Sequence, residues 1–77
     1  MIKEHDLVVL KRAFPEEGLE QEDIGAVVHC YEDGKAFEVE FVSADGDTVA
    51  VLTLEKKDLR PFTSHEILHV RKLAHAV

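Results

Sequence analysis

The sequence predicts a mainly β protein, a small antiparallel β-barrel of four to five strands followed by a C-terminal amphipathic helix. Three short apolar runs separated by Asp-Gly turns favour the barrel, and an apolar-periodic stretch after them favours the helix. The chain has 77 residues, which leaves room for one small domain only. We therefore expect a β-barrel domain over residues 1–62 and a helix over residues 63–77.

The middle of the chain predicts a three-stranded antiparallel meander. The expected strands are residues 24–31, 36–42 and 48–54. In the second run Phe37, Val39 and Phe41 share one face and the two glutamates between them share the other, the period of a half-buried strand. Asp-Gly pairs lie between the runs, and this dipeptide tolerates the positive φ angles of tight hairpin turns.

The flanks of the meander complete the predicted barrel. Residues 6–10 are predicted to form a further strand. The long loop over residues 11–23 shows no periodic spacing of apolar residues. Residues 58–61 (Asp-Leu-Arg-Pro) predict a tight turn, with a short last strand beginning near Phe62. Four or five short strands with one long loop after the first are the arrangement of an SH3-like barrel, which hides its sheet edges by closure.

The end of the chain predicts an amphipathic helix. Thr63 and Glu66 have the spacing of a capping box, which marks a helix start. At ~100° per residue, one side of the helix is apolar. It carries Ile67, Val70, Leu73, Ala74 and Val77. Burial of this stripe on the protein's own barrel and burial on another chain both fit the pattern.

Composition narrows the classes of partner. Lysine and arginine number 9 against 16 aspartates and glutamates, a net charge of −7, which argues against nucleic acid because its phosphates are bound mainly by Lys and Arg. The apolar runs are far shorter than the ~20 residues that span a bilayer. The mixed charge of the first residues and the lone Cys30 are typical of a cytoplasmic protein. We expect no nucleic-acid and no membrane partner.

The segment His65-Glu66-Ile67-Leu68-His69 matches the H-E-x-x-H pattern of zinc peptidases, in which two histidines one helical turn apart bind zinc and the glutamate activates water. A zinc-dependent hydrolase or metal-binding protein is therefore the alternative reading. The chain leaves little material for a substrate cleft, so a polar helix face is the favoured interpretation. We expect no catalytic residue, no metal and no cofactor.

Five carboxylates crowd the end of the long loop. They would either steer a basic partner or keep a small domain soluble, and both interpretations stand. Together with the apolar stripe they are the candidate partner-binding residues. These are Glu16, Glu17, Glu20, Glu22, Asp23, Ile67, Val70, Leu73 and Val77.

Several of these segments together resemble one bacterial family. They are residues 6–10 (DLVVL), 23–29 (DIGAVVH), 37–42 (FEVEFV) and 58–61 (DLRP). The family comprises small single-domain proteins catalogued as domain-of-unknown-function family 4926, and the resemblance covers about residues 2–61. It implies no activity and no catalytic residues; members often lie beside small toxin-like proteins, which implies at most a partner or antitoxin-like role. The family usually has a glycine before Asp23, where this chain has Glu22.

A more distant likeness is to SH3-like barrels with the KOW turn, where a glycine precedes the second strand as Gly25 does here. A KOW-like nucleic-acid-binding domain is therefore a further alternative, which the charge of −7 disfavours. The leading hypothesis is a non-catalytic protein-interaction module, a regulatory or antitoxin-like partner of another small cytoplasmic protein. The partner is expected to be a protein, basic in character, or a second copy bound through the C-terminal helix.

Overall fold

The computed structural model describes residues 2–31 and 34–73, and within them the chain forms one five-stranded antiparallel sheet. The strands are β1 (Leu7–Leu10), β2 (Ile24–Cys30), β3 (Ala36–Val42), β4 (Thr48–Glu55) and β5 (Leu59–Pro61). Their order across the sheet is β4-β3-β2-β1-β5. Two short 3₁₀ turns, Pro15–Glu17 and Lys56–Asp58, lie in the connections. This order is compatible with the SH3-like arrangement expected from the sequence.

The meander of β2, β3 and β4 is present as predicted. Phe37, Val39 and Phe41 of β3 are buried, whereas the glutamates between them lie on the opposite face. Across the sheet these three residues pair with Leu54, Leu52 and Ala50 of β4, so the apolar faces of the two strands coincide. This shared face supplies half of the buried core cluster, and its burial stabilises the sheet because the hydrophobic effect grows with the apolar area removed from water.

Strand β1 lies inside the sheet, between β2 and β5, and three of its four residues are buried. The last strand begins at Leu59, within the segment predicted to be only a tight turn, so that prediction is wrong. The turn closes two residues earlier, over Lys56–Asp58, where the Asp58 carboxylate accepts a hydrogen bond of 3.1 Å from the backbone N–H of Glu55. Pro61 fits β5 because this strand lies at the sheet edge, where a missing N–H is tolerated.

The predicted C-terminal helix is absent from the described residues 63–73, which are neither helix nor strand. Its start signal nevertheless forms, because Glu66 Oε1 accepts a hydrogen bond of 2.8 Å from the backbone N–H of Thr63. Helix does not continue because Glu66 also binds Arg60, and an isolated helix under ~12–15 residues is marginal in water. The rest of the expected stripe, Ala74 and Val77, lies outside the described residues. Within the described residues, no helix has the length and apolarity to cross a bilayer.

Candidate functional site

The acidic loop, residues 11–23, is fixed to the sheet rather than free. Leu19 is buried in the core, and its backbone bridges to Phe14 across the Pro15–Glu17 turn. At the loop's end, the N–H of Leu10 donates to the carbonyl of Asp23 over 2.9 Å, and the N–H of Glu22 donates to the carbonyl of Leu10 over 2.9 Å. The loop therefore presents its last carboxylates from a defined position.

The Asp23 carboxylate holds the guanidinium of Arg71, 48 residues further along the chain. Arg71 Nε donates to Asp23 Oδ1 over 2.8 Å, and Arg71 Nη2 donates to Asp23 Oδ2 over 2.5 Å. Arg71 Nη2 also donates to the carbonyl of Gly18 over 3.0 Å, and its Nη1 lies 3.6 Å from a carboxylate oxygen of Glu20. This bidentate pairing is the strongest and most directional contact that an arginine makes with a carboxylate.

The environment of Asp23 keeps the pair charged. Burial of the carboxylate raises its pKa, but the hydrogen bonds from Arg71 and from the backbone of Glu20, with the positive charge of Arg71, outweigh burial and leave the pKa below its usual range. The hydrogen bond to Asp23 raises the pKa of Arg71. Both groups are therefore ionised at neutral pH, and the contact persists there.

A second ion pair fixes the other end of the same C-terminal segment. Arg60 Nη2 lies 2.6 Å from Glu66 Oε2 and 3.5 Å from a carboxylate oxygen of Glu22. The hydrogen bond from Arg60, with one from the backbone of Thr63, lowers the pKa of Glu66 to about 2. Residues 66–71, here called the strap, are thus tied to the body of the protein at both ends.

Between its two anchors the strap exposes apolar side chains. Ile67, Leu68 and Val70 are 83%, 61% and 97% exposed. The prediction of an amphipathic helix is wrong for the described residues 63–73, and two members of its apolar stripe, Ile67 and Val70, face solvent.

Two grooves lie between the strap and the body of the protein. One has a volume of about 390 Å³ and the other about 710 Å³, and both are bounded by Asp23, Ile24 and Arg71. Phe62 contributes apolar surface to the first and Phe41 to the second. The strap therefore crosses a partly apolar surface without filling it.

The candidate partner residues divide into two sets. Glu20, Glu22 and Asp23 meet the strap's two arginine anchors. Glu16 and Glu17 lie on the exposed Pro15–Glu17 turn and have no ion pair with Arg60 or Arg71 in the described part of the chain. Leu73 is half-buried at the end of the described chain, and Val77 lies outside the described residues.

The H-E-x-x-H segment does not adopt the geometry that zinc peptidases use. That motif needs a helix to bring both histidines to one face, and the described segment is not helical. Glu66 is bound to Arg60, whereas His65 and His69 are exposed. Within residues 2–31 and 34–73, no three His, Cys, Asp or Glu side chains cluster as a metal site requires.

A polar network on the outer face of the sheet was not foreseen from the sequence. Glu38 accepts hydrogen bonds from the Tyr31 hydroxyl over 3.1 Å and from Thr53 over 2.7 Å, and His29 lies edge-on to the Tyr31 ring. A β-bulge at Val28 turns His29 to this face. The hydrogen bond to Glu38 raises the pKa of Tyr31, so the phenol is stabilised in its neutral form. The network therefore strengthens strand pairing.

The two arginine anchors were also missed. The Arg71–Asp23 pair joins residues 48 apart in the sequence, and such pairing is not visible in local patterns. The signal that could have indicated them is the acidic excess itself, since carboxylates at a fixed loop attract the few basic residues of the chain.

Fold and site together define a small antiparallel β-sheet protein whose acidic loop is tied to its own C-terminal segment. Residues 4–61 match the family model described as Domain of unknown function (DUF4926), and the chain belongs to that family. The match includes Asp23 and Arg60 and ends before the strap. No curated protein and no solved structure matches the chain.

Proposed function

We propose that this protein is a non-catalytic protein-interaction module whose contact surface is the strap together with the adjoining acidic loop. The observation that carries this proposal is the exposure of Ile67, Leu68 and Val70 on a segment tied down at both ends by Arg60 and Arg71. Single exposed apolar residues are common on protein surfaces. Three within four residues, held in place by ion pairs, are typical of an association site.

The energetics favour burial of this surface in a complex. Fully burying an aliphatic side chain of this size stabilises by roughly 1.5–3 kcal/mol, so the three together offer several kcal/mol to association. The anchors limit the conformational entropy that the strap loses on binding, which would otherwise offset part of this gain.

Charge favours a basic protein as the partner. The chain carries a net charge of −7, and the acidic loop lies directly beside the strap. An acidic rim around an apolar contact steers a basic partner and fixes its orientation. An antitoxin-like role toward a small basic protein, as the family resemblance implies, fits this chemistry.

The alternatives have less support. The zinc-hydrolase reading needs a helical His65-Glu66-Ile67-Leu68-His69 segment and a free Glu66, whereas the segment is not helical and Glu66 pairs with Arg60. The KOW-like reading needs a basic surface, and the charge of −7 opposes it. A homodimer through a C-terminal helix lacks that helix over residues 63–73.

A comparison of two double variants tests the proposal. Ile67→Gln with Val70→Gln removes apolar surface from the strap, and Val28→Gln with Val51→Gln removes it from half-exposed strand positions as a matched control. Neither pair changes the charge, so steering of a basic partner is preserved. Each full-length chain, immobilised, is exposed to extract of the cells that produce the protein, and bound proteins are quantified by mass spectrometry.

We expect the unchanged chain and the strand control to retain the same basic protein, and the strap variant to lose it at least tenfold. The loss follows from two buried aliphatic contacts at ~1.5 kcal/mol or more each. Equal retention by the strap variant, or loss only in the strand control, would contradict the proposal.

A further inference from the structure

The two edges of the sheet differ in how well they are protected against pairing with another strand. Strand β5 has three residues, contains the charged Arg60 and ends at Pro61, and all three features discourage a further strand. Strand β4 has eight residues, and residues 48–54 (TVAVLTL) include no charge, proline or glycine. Within the described residues, β3 is the only strand that pairs with β4. The β4 edge is therefore open to a further strand.

We propose that β4 pairs antiparallel with β4 of a second copy of the chain, about a two-fold axis at Leu52. The two sheets then form one continuous sheet with a β5 strand at each outer end. Because β5 is protected, the assembly closes at two chains and does not extend into a fibre. The strap's ion pairs join it to Arg60 and Asp23 and not to β4, so this pairing leaves the strap in place.

The backbone of β4 presents hydrogen-bonding groups to this edge. The carbonyl of Ala36 accepts a hydrogen bond of 2.9 Å from the N–H of Tyr31, so the backbone groups of Ala36 face the β2 side of β3. Glu55 lies opposite Ala36, and two residues opposite each other in an antiparallel pair either bond to each other or both point away. Glu55, and by alternation Thr53 and Val51, therefore point their N–H and C=O groups away from β3.

Pairing about Leu52 also covers apolar side chains at the edge. Val51 is 47% exposed and would lie opposite Thr53 of the second copy, with N–H to C=O bonds in both directions between them. Leu52 is partly buried against the core and would meet Leu52 of the second copy. The contact therefore removes apolar area from water and adds about four hydrogen bonds between the chains.

The charges that flank β4 are complementary to those of an antiparallel second copy. Asp47 precedes the strand, whereas Lys56 and Lys57 follow it, and all three side chains are exposed. With the axis at Leu52, each Asp47 lies opposite the turn that carries Lys56 and Lys57 of the other chain. Opposite charges that face each other across paired strands stabilise the pairing.

Other registers lack this match. A parallel pair would place Asp47 beside Asp47, and an antiparallel pair with its axis at Val51 would place Asp47 opposite Glu55. Like charges directly opposite each other are destabilising. The net charge of −7 opposes association over longer distances, but at ~0.15 M salt exposed charges are largely screened beyond ~8 Å. The flanking charges therefore select the second copy and its register.

The test is sedimentation of the full chain from roughly 1 µM to 1 mM, the range in which weak interfaces form, at ~0.15 M salt. Asp47→Lys and Lys57→Glu each place like charges at both ends of the proposed interface. Glu16→Lys and Lys3→Glu make the same charge changes outside β4 and its flanking turns, as matched controls. Circular dichroism shows whether each variant is folded, and Lys56→Glu replaces Lys57→Glu if that variant unfolds.

We expect the unchanged chain and both controls to dimerise as concentration rises, and each charge variant alone to dimerise about tenfold more weakly. A mixture of Asp47→Lys and Lys57→Glu chains should recover the lost affinity, because opposite charges face each other again at both ends. Repulsion between whole chains does not explain this pattern, since Asp47→Lys lowers the net negative charge and would then dimerise more tightly.

Amide hydrogen exchange locates the interface. The amides of Val51 and Thr53 should gain protection as the dimer forms, whereas the amide of Leu52, which bonds to β3 in the single chain, should change little.

A chain that stays monomeric at every concentration would overturn the proposal. A dimer in which Val51 and Thr53 remain unprotected would do the same, as would a dimer that the Ile67 and Val70 variant dissolves, because the interface would then be the strap. Protection of Val51 and Thr53 by a different protein, on a chain that does not dimerise, would overturn the assignment of this edge to a second copy.

Discussion

Replacing Gly25 with alanine should destabilise the protein measurably, because the strand leaves no space for a methyl group. A Cβ at this position would lie 2.6 Å from Val39 Cγ1 and 2.7 and 2.9 Å from two ring carbons of Phe41. Favourable carbon contacts begin near ~3.5 Å, so each overlap is about 0.6–0.9 Å. Val39 and Phe41 are only 0% and 3% exposed, so neither side chain has room to retreat.

The expected cost is about 1–3 kcal/mol, the usual range for overpacking a core, and the lower backbone entropy of alanine offsets at most ~1 kcal/mol of it. For a domain of this size, each 1 kcal/mol lowers Tm by about 4–8 °C. Thermal unfolding followed by circular dichroism measures the change. Val28→Ala, at an exposed position in the same strand, should shift stability by less than ~0.5 kcal/mol.

A double-mutant cycle locates the strain. Val39→Ala removes one of the clashing groups, so Gly25→Ala should cost less in that background, with a coupling of at least ~0.5 kcal/mol. A Gly25→Ala chain as stable as the unchanged protein would refute the packing described here, as would strict additivity with Val39→Ala.

Three further outcomes follow from the ion pairs and exposed histidines. Asp58 is 5% exposed and accepts hydrogen bonds from Arg12 and Glu55, so Asp58→Ala should cost about 1–3 kcal/mol, measured by urea unfolding. The pKa of Glu66 is lowered from 4.5 to about 2 in the folded protein. Between these two values the unfolded chain binds more protons than the folded chain, so stability falls as the pH is lowered. The contribution of Glu66 to stability should therefore be complete above pH 4.5 and vanish as the pH falls through about 2. Tm recorded against pH should show this loss, and Glu66→Gln should reduce it. Replacing both His65 and His69 with alanine should change the free energy of unfolding by less than ~0.5 kcal/mol, because both are exposed.

The strands were predictable because their signals are local. The alternation of Phe37, Val39 and Phe41 with glutamates fixes which face is buried, and the Asp-Gly pairs fix where the chain reverses. The start of β5 was missed because Pro61 argues for a turn, and only its place at the sheet edge makes it compatible with a strand.

The C-terminal segment was mispredicted for a physical reason. Thr63 and Glu66 carry a genuine local helix-start signal, and the contact between them forms. In place of a helix, the segment is held by the pairing of Arg60 with Glu66 and of Arg71 with Asp23. Such pairs depend on where the folded sheet places the acidic loop, and the periodicity of the sequence does not indicate this position.

The acidic loop was the part of the candidate site that sequence did indicate. Composition alone left both interpretations of the loop, partner steering and simple solubility, open. The structure adds that Glu20 and Asp23 are already engaged by a guanidinium group, whereas Glu16 and Glu17 are not. Contact with the strap, and not charge alone, therefore distinguishes the loop carboxylates proposed for the contact surface from the other carboxylates of the loop.

The strap should remain non-helical and paired with the acidic loop in solution. Backbone chemical shifts of residues 66–71, with nuclear Overhauser contacts from the Arg71 side chain, can be measured on the full chain by NMR. We expect non-helical shifts for Ile67 to Val70 and contacts between the Arg71 side chain and the loop at Gly18 and Asp23. Helical shifts across these residues, with Arg71 remote from Asp23, would contradict it.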